Sequence, residues 1–577
     1  MKLSVAKTAG FCMGVQRAVE MALDASNTCS PPIYTYGPLI HNPQVLSLLE
    51  EKGITVLDTI PESGSGTVLI RAHGVPPDAR LRLEEAGFTV IDATCPRVIK
   101  VQAIIRKHTR EGYTCIIIGD ADHPEVIGLL GYAGDKGFVV GSLQELEALP
   151  EFDRAIIVAQ TTQNTLFYEA VKKWSARSRR KYKVFDTICD STEHRQEEAK
   201  RLAETVEAVV VVGGHNSGNT QRLAEIVRDA GKPAYHIETE GELDISALAS
   251  VRHIGITAGA STPNWIIKRI YKAIETLPIS GETEWKKRRF AAQRYLLLSN
   301  TYVAMGAGFL CYACIRLQDL RHSVPYIAIS MLYILSMHTL NTLTGLREAR
   351  YNDPDRAAFY DTNKFMLTLL ALISGAIGLG TAAGMGMLPF LILFMMSAMG
   401  LCYNLKLIPD AVEGVRYRRL RDIPGSKTVL IALAWGVVTA IFPCLAVAGT
   451  IKASTIPAFM WAAGIVFVRT AFFNILDMQG DRIVGKETIP ILLGKNRSMT
   501  LLRFILLFTL VLLFGASSYH LIPNLGIGLM LCPVFLLIVI SANKRGHMMP
   551  GVRLEFLVES NFILAGLITL IWSLFFR

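Results

Sequence analysis

The amino terminus lacks an apolar leader. MKLSVAKTAG carries Lys2 and Lys7 and no hydrophobic core segment, so no signal peptide is expected and the first half should stay in the cytoplasm. Cysteine is sparse, 10 in 577 residues, and the first 280 residues hold Cys12, Cys29, Cys95, Cys115 and Cys189. An odd, widely spaced set in a reducing compartment argues against a disulfide framework and for metal binding or catalysis. No Gly-Lys-Ser/Thr follows the glycine-rich turn GGHNSGNT (213–220), so that turn is not a Walker loop. The formal net charge is +10, yet KKRRF (286–290) and RYRRLR (416–421) flank apolar runs, where the positive-inside tendency accounts for them. Nucleic acid is therefore not an expected partner. The run RSRRK (177–181) stands apart, as a solvated surface or a docking patch for an acidic redox partner.

The length exceeds one ordinary domain. Residues 1–280 read as a soluble α/β domain, residues 281–294 as a basic linker, and residues 295–577 as a polytopic membrane domain. Three cysteines of the first part sit alike. Cys12 follows the short apolar segment 3–6 and opens an amphipathic helix. Cys95 follows FTVID and opens PRVIKVQAIIRKH, and Cys189 follows YKVFD and opens STEHRQEEAKRLAE. These are strand-to-helix turns ending in a thiol. A helix N-terminus favours a thiolate, and thiolates bind soft metals and iron–sulfur clusters. On local context alone, three buried inert cysteines explain the pattern equally well.

Apolar runs such as TVLI (67–70), CIIIG (115–119), AIIVA (155–159), AVVVV (208–212) and HIGITA (253–258) alternate with helical patterns, which argues for parallel sheets covered by helices. In such folds ligands bind beyond the carboxyl ends of the strands. Those ends carry His41 and Asn42, then His73, then His123 and Glu125, then Gln160, Thr161 and Thr162. The turn with Ser217, Gly218 and Asn219 and the turn with Ser261 complete the set. A glycine-rich turn opening a helix is a phosphate cradle in physical terms. Glu125 beside a Thr161 hydroxyl suits a proton relay. Taken singly, each histidine and Glu125 reads more readily as a structural or surface residue.

Together, GFCMGVQRA, HN (41–42), AHGV, DATCP, HPEV, AQTT, C-x5-RQ (189–196), NSGN and TAGAS resemble the 4-hydroxy-3-methylbut-2-enyl diphosphate reductases, in order across residues 1–280. The resemblance implies three α/β lobes around a central [4Fe–4S] cluster held by Cys12, Cys95 and Cys189. It implies diphosphate and substrate contacts at His41, His73, His123, Thr161, Ser217, Gly218, Asn219 and Ser261, with Glu125 as proton donor. It also implies ferredoxin or flavodoxin as electron donor, and isopentenyl and dimethylallyl diphosphate as products. Gly218 departs from the serine common there, a change that a backbone N–H role tolerates.

Nine apolar segments follow, near 295–315, 324–344, 364–384, 386–405, 428–449, 455–475, 500–519, 523–541 and 557–576. Each approaches the ~20 residues that span a bilayer. Cation-rich loops after the even-numbered segments (Arg347, Arg350, Arg356; Arg416 to Lys427; Arg482, Lys486, Lys495; Lys544, Arg545, Arg553) place an integral protein in the cell membrane with its amino-terminal domain cytoplasmic. Asp477 and Asp481 share a helix face, as a site for Mg²⁺ bridging a diphosphate or as an interfacial acidic pair. That stretch, with nine spans, resembles the second aspartate motif of the UbiA-like membrane prenyltransferases. Their first motif begins at Asn341 here, but Gly345 and Ala349 occupy the expected aspartate positions. Either Glu348 or Asp353 compensates, or the domain binds a prenyl diphosphate without transferring it efficiently. The reading is thus a membrane-tethered reductase beside a prenyltransferase-like domain. The alternative is a membrane prenyltransferase with a regulatory iron–sulfur module.

Overall fold

Valine and isoleucine fill the central strands without alternation, because both faces of each sheet are covered. The computed structural model describes residues 2–177, 182–277, 284–320, 324–403, 420, 423–544 and 551–575. The chain divides into two units, Met1–Ser280 and Gly281–Arg577.

The first unit contains three four-stranded parallel sheets. In one, the strands run in the order Lys2–Val5, His253–Ala258, Ala208–Val212, Ala234–Ile237. In the second they run Thr89–Asp92, Thr67–Ile70, Ile33–Tyr36, Ile54–Leu57. In the third the order is Lys183–Val184, Ala155–Ala159, Thr114–Ile118, Gly137–Val140. The expected strands at TVLI, AIIVA, AVVVV and HIGITA are all present, while YKVFD gives a strand of two residues only. Ala155–Ala159 and Ala208–Val212 are buried along their whole length, under helices on both faces. The helix after the strand Ala208–Val212 begins at Gly218, and the helix after Cys95 runs Pro96–Arg110.

The second unit is helical and apolar. Among the described residues, seven helices are long and apolar enough to cross a membrane: Val324–Thr344, Lys364–Met385, Ser426–Ala448, Thr455–Leu476, Lys495–Ser518, Leu525–Asn543 and Val552–Phe575. Two of the nine expected segments differ. The first belongs to the pair Glu284–Leu298 and Thr301–Leu317, bent by 75°. The bend falls at Asn300, in the left-handed region at φ 58, a conformation asparagine tolerates. Asn300 is held there, its Nδ2 donating to Tyr360 Oη (2.8 Å) and its Oδ1 accepting from Arg356 Nη1 (3.1 Å). The fourth segment is Met387–Cys402, 16 residues, or about 24 Å at 1.5 Å per residue, short of a ~30 Å hydrocarbon core. Helix Glu284–Leu298 also takes up most of the expected linker.

A wide turn at Val437–Ile441 frees carbonyls inside the helix Ser426–Ala448. Ser330 Oγ donates to Val438 O and Gln318 Nε2 to Ala440 O, both at 3.1 Å. Such side-chain partners make a broken ladder tolerable in hydrocarbon. The basic runs at 178–181 and 416–419, Arg321, Arg421, Arg545 and the side chains of Arg347, Glu348 and Lys544 lie outside the described residues.

Candidate active site

The three sheets repeat one local design. Each ends in an edge strand that leads to a cysteine: Lys2–Val5 to Cys12, Thr89–Asp92 to Cys95, Lys183–Val184 to Cys189. Each cysteine caps the helix it opens: Met13–Thr28, Pro96–Arg110 and Asp190–Thr205. Each cysteine N–H donates to a carbonyl two residues beyond the neighbouring inner strand: Cys12 to Ala260 (3.1 Å), Cys95 to Ala72 (2.9 Å), Cys189 to Thr161 (3.0 Å). The next inner strand in each sheet leads to His41, His123 or Ser217. A chemical group therefore stands at the same topological place in all three lobes.

All three thiols are free and partly buried. Cys12 Sγ accepts from Val15 N at 3.5 Å. A Cβ on Gly14 would stand 2.4 Å from Cys95 Sγ, so the absence of a side chain there lets the second thiol reach the first helix. Burial pushes the Cys95 thiol up, and the charges of Cys12 and Cys189 add to that push. The N–H groups of Arg97 and Val98 pull the other way and lose. Helix-terminal stabilisation of a thiolate, expected from the sequence, is thus outweighed at Cys95 by desolvation.

Glu125 is 1% exposed and accepts twice from Thr161: the N–H at 2.7 Å and the hydroxyl at 2.8 Å. Burial pushes its pKa to about 7, against the pull of those two bonds. Because the Thr161 carbonyl accepts the Cys189 N–H, the carboxyl and the third thiol turn are joined through one residue. Glu125 N donates to His123 Nδ1 (3.1 Å), which leaves the proton of a neutral His123 on Nε2. That edge of the ring faces Gly218, where an added Cβ would lie 3.9 Å from Nε2.

His41, His73 and His123 form a cluster, with one ring nitrogen from each lying within 4.8 Å of the others. His41 Nε2 and His73 Nδ1 are buried without a hydrogen-bond partner. Burial pushes His73 well below the ordinary imidazole value and His123 to about 4. His41 is lowered by burial and then by Arg71. Arg71 acts on all three rings, and at His123 Arg222 adds to it while Asp120 opposes, so a guanidinium shared by the three rings favours an anionic ligand. On the facing turn, Ser261 Oγ donates to Ser217 Oγ (3.2 Å), and Asn219 Nδ2 is buried without a partner. A Cβ on Gly214 would lie 2.9 Å from the His41 carbonyl, so this turn packs directly against the histidine cluster. Asn42, in contrast, caps the helix Pro43–Glu51 through Val45 N (3.0 Å).

Sequence reasoning missed two cations. Arg71 directly follows the strand Thr67–Ile70, and its position alone was a signal. Arg195 lies in the motif C-x5-RQ but on a helix face, with nothing in its spacing to mark it. It is 3% exposed, donating to Gly10 O (2.6 Å) and Ala258 O (3.1 Å).

In the second unit, Asp477 lies at the carboxyl end of the helix Thr455–Leu476, and Asp481 one turn on, its N–H donating to Asp477 O at 2.9 Å. Asp481 is buried and accepts from Asn352 Nδ2 at 2.8 Å. Gly480 is what lets Asn352 approach, since a Cβ there would collide with its Oδ1. Burial raises the Asp481 pKa. Asn341, Gly345 and Ala349 follow one another at helical spacing, Gly345 N donating to Asn341 O and Ala349 N to Gly345 O. Asn352 from this stretch is the residue that reaches Asp481. Asp353 is engaged by Arg356 Nε (3.3 Å), which also pairs with Glu555.

Residues 3–275 match the model described as LytB protein, and residues 297–550 that of the UbiA prenyltransferase family. The 4-hydroxy-3-methylbut-2-enyl diphosphate reductase of Pelobacter propionicus is 44% identical over 270 residues, covering 47% of this chain and 96% of that protein. A solved structure of the E-1-hydroxy-2-methyl-but-2-enyl-4-diphosphate reductase from Plasmodium falciparum aligns with TM-score 0.46 and 27% identity, over 48% of this chain and 91% of its own. A UbiA homolog from Aeropyrum pernix aligns over 48% of this chain and 98% of its own, with TM-score 0.39 and 15% identity.

Proposed function

The chain belongs to the LytB protein family, and from that premise we propose that residues 1–280 reduce (E)-4-hydroxy-3-methylbut-2-enyl diphosphate to isopentenyl and dimethylallyl diphosphate. The reaction breaks one allylic C–O bond, takes up two electrons and two protons, and releases water. Cys12, Cys95 and Cys189 hold a [4Fe–4S] cluster. Three free thiols on three converging helix starts, one of them reaching over the bare Gly14, support that assignment. Such a cluster, held by those three thiols, would supply the two electrons of the reduction. Ferredoxin or flavodoxin would be the electron donor.

The protein's own groups do the rest. His41, His73 and His123, with the turn Ser217–Gly218–Asn219 and Ser261, receive the diphosphate. The unpartnered nitrogens of His41, His73 and Asn219 favour this role, since buried polar atoms normally have partners and an anion supplies them. Glu125 is the acid. With a pKa of about 7 it is protonated often enough at neutral pH to donate. In the protonated state its 2.8 Å contact with Thr161 reverses: the carboxyl donates to Thr161 Oγ, and the freed hydroxyl proton turns to the leaving oxygen. The bond from Cys189 N to Thr161 O fixes that relay beside the cluster turn. This link from a buried carboxyl to a thiol turn is the observation that carries the reading.

The second unit is an apolar helical UbiA-like region. We assign it to the cell membrane, with the first unit on the cytoplasmic side, on the strength of its cation-rich loops. Asp477 and Asp481 are its candidate Mg²⁺–diphosphate ligands, with Asn341 at the head of the opposite stretch. Asp353 is paired with Arg356, so serving in place of the missing aspartates would require it to share or give up that pair.

Full-length chain purified without oxygen tests the reductase reading. Cys95→Ser should lose iron, visible absorbance and turnover together. A colourless Cys95→Ser variant with full turnover would sink the cluster assignment.

A further inference from the structure

Arg195 is a buried cation that hydrogen-bonds carbonyls and a hydroxyl rather than a carboxylate. Its Nη2 donates to Gly10 O at 2.6 Å, its Nη1 to Ala258 O at 3.1 Å, and its Nε contacts Ser191 Oγ at 3.5 Å. Gly10 stands two residues before Cys12. Ser191 stands two after Cys189. Ala258 ends the strand that leads to Ala260, whose carbonyl accepts the Cys12 N–H. One guanidinium therefore ties both thiol turns to one strand end. Glu198, three residues on, is spent elsewhere: its oxygens accept from Lys7 N (2.7 Å), Thr8 N (2.8 Å) and Thr8 Oγ1 (2.6 Å). Among the described residues, Arg195 has no ion pair. The negative charges it does feel are, in order, the sulfur of Cys12, the Glu198 carboxylate and the sulfur of Cys189.

A buried, unpaired guanidinium is costly unless an anion lies near it. We infer that Arg195 is a positioning residue and the counter-charge of the three-thiol site, bracing the Cys12 and Cys189 turns and stabilising the more negative, reduced state of the group they hold. This rests on the iron–sulfur reading of those thiols. Arginine suits the place because its planar fork spans three acceptors, which a lysine ammonium cannot.

The test uses full-length chain, purified anaerobically as wild type, Arg195→Gln and Arg195→Lys. Iron per chain and an electron-paramagnetic-resonance redox titration are the readouts. Arg195→Gln should disfavour the reduced state about tenfold, a midpoint about 59 mV more negative for one electron. Arg195→Lys should keep the midpoint and lose part of the iron, because the charge stays and the brace goes. A glutamine variant with wild-type iron content and midpoint overturns the inference. Should Arg195→Gln hold no cluster, Arg195→Lys decides: a wild-type midpoint supports the counter-charge. A midpoint about 59 mV more negative, or no cluster in either variant, overturns it. Wild-type chain without a cluster sinks the functional reading instead.

Discussion

Replacing Glu125 by glutamine isolates the proposed proton donor from everything else in the site. The side chain keeps its size, and glutamine Oε1 still accepts the Thr161 N–H that now donates at 2.7 Å. The second contact also survives, since the Thr161 hydroxyl accepts from an amide as readily as it donates to a carboxylate. The acid proton is what disappears. General-acid catalysis contributes about 10²–10⁴-fold, so turnover should fall by that factor with little change in KM. In wild type, turnover should decline as pH rises through about 7, where burial has placed the carboxyl. The variant should be flat across that range. Stability carries a second signature. A carboxyl raised from 4.5 to about 7 costs the folded state nothing below the unfolded value. The cost grows between 4.5 and about 7 and is constant above, reaching about 3 kcal/mol at 1.36 kcal/mol per unit. The thermal midpoint of the variant relative to wild type should therefore rise across that window. Steady-state reduction with a chemical electron donor and scanning calorimetry read both effects. A variant within threefold of wild-type turnover would refute the relay, whatever its stability.

Four further outcomes follow from the geometry. Gly14→Ala puts a Cβ 2.4 Å from Cys95 Sγ, an overpacking of about 1–3 kcal/mol, and should lower iron content while circular dichroism stays unchanged. His41→Ala removes a proposed donor to the diphosphate and should weaken binding about tenfold or more, read by calorimetry. The three imidazoles are held neutral by burial, so an anionic ligand that raises their pKa should draw protons in. Binding enthalpy should then vary with the buffer's ionisation heat, and a buffer-independent enthalpy contradicts this. Arg356→Met strips the partner from Asp353 and Glu555 and should cost about 3 kcal/mol, seen as a lower thermal midpoint of the membrane unit in detergent.

The strand-end residues were legible because a parallel sheet delivers its chemistry at one edge, and an apolar run followed by His, Ser or Thr marks that edge without tertiary knowledge. The thiol turns were legible for the same reason. Their likeness to one another was legible too, but not that each follows an edge strand, since strand order is a tertiary fact. Arg195 hid on a helix whose inward face the sequence does not label. At Cys95 the helix terminus was rightly placed but its effect lost to burial, a quantity that local pattern does not report. In the membrane half, hydropathy located the apolar segments. It could not show the 75° break at Asn300, because one asparagine barely lowers the mean of a long apolar run. Asn352 was legible only as part of the trailing NDPDR (352–356) that fits the first prenyltransferase motif, and its contact with Asp481 was not legible. It reaches Asp481 only because Gly480, far along the chain, has no side chain.

Under the proposed function, a cluster, a diphosphate cradle and a buried acid act on one substrate. Product analysis of full-length, anaerobically purified chain with (E)-4-hydroxy-3-methylbut-2-enyl diphosphate and a chemical reductant tests it most directly. Isopentenyl and dimethylallyl diphosphate should form together, one product molecule for each two electrons consumed. An iron-loaded chain that binds the substrate and forms neither product would contradict the account.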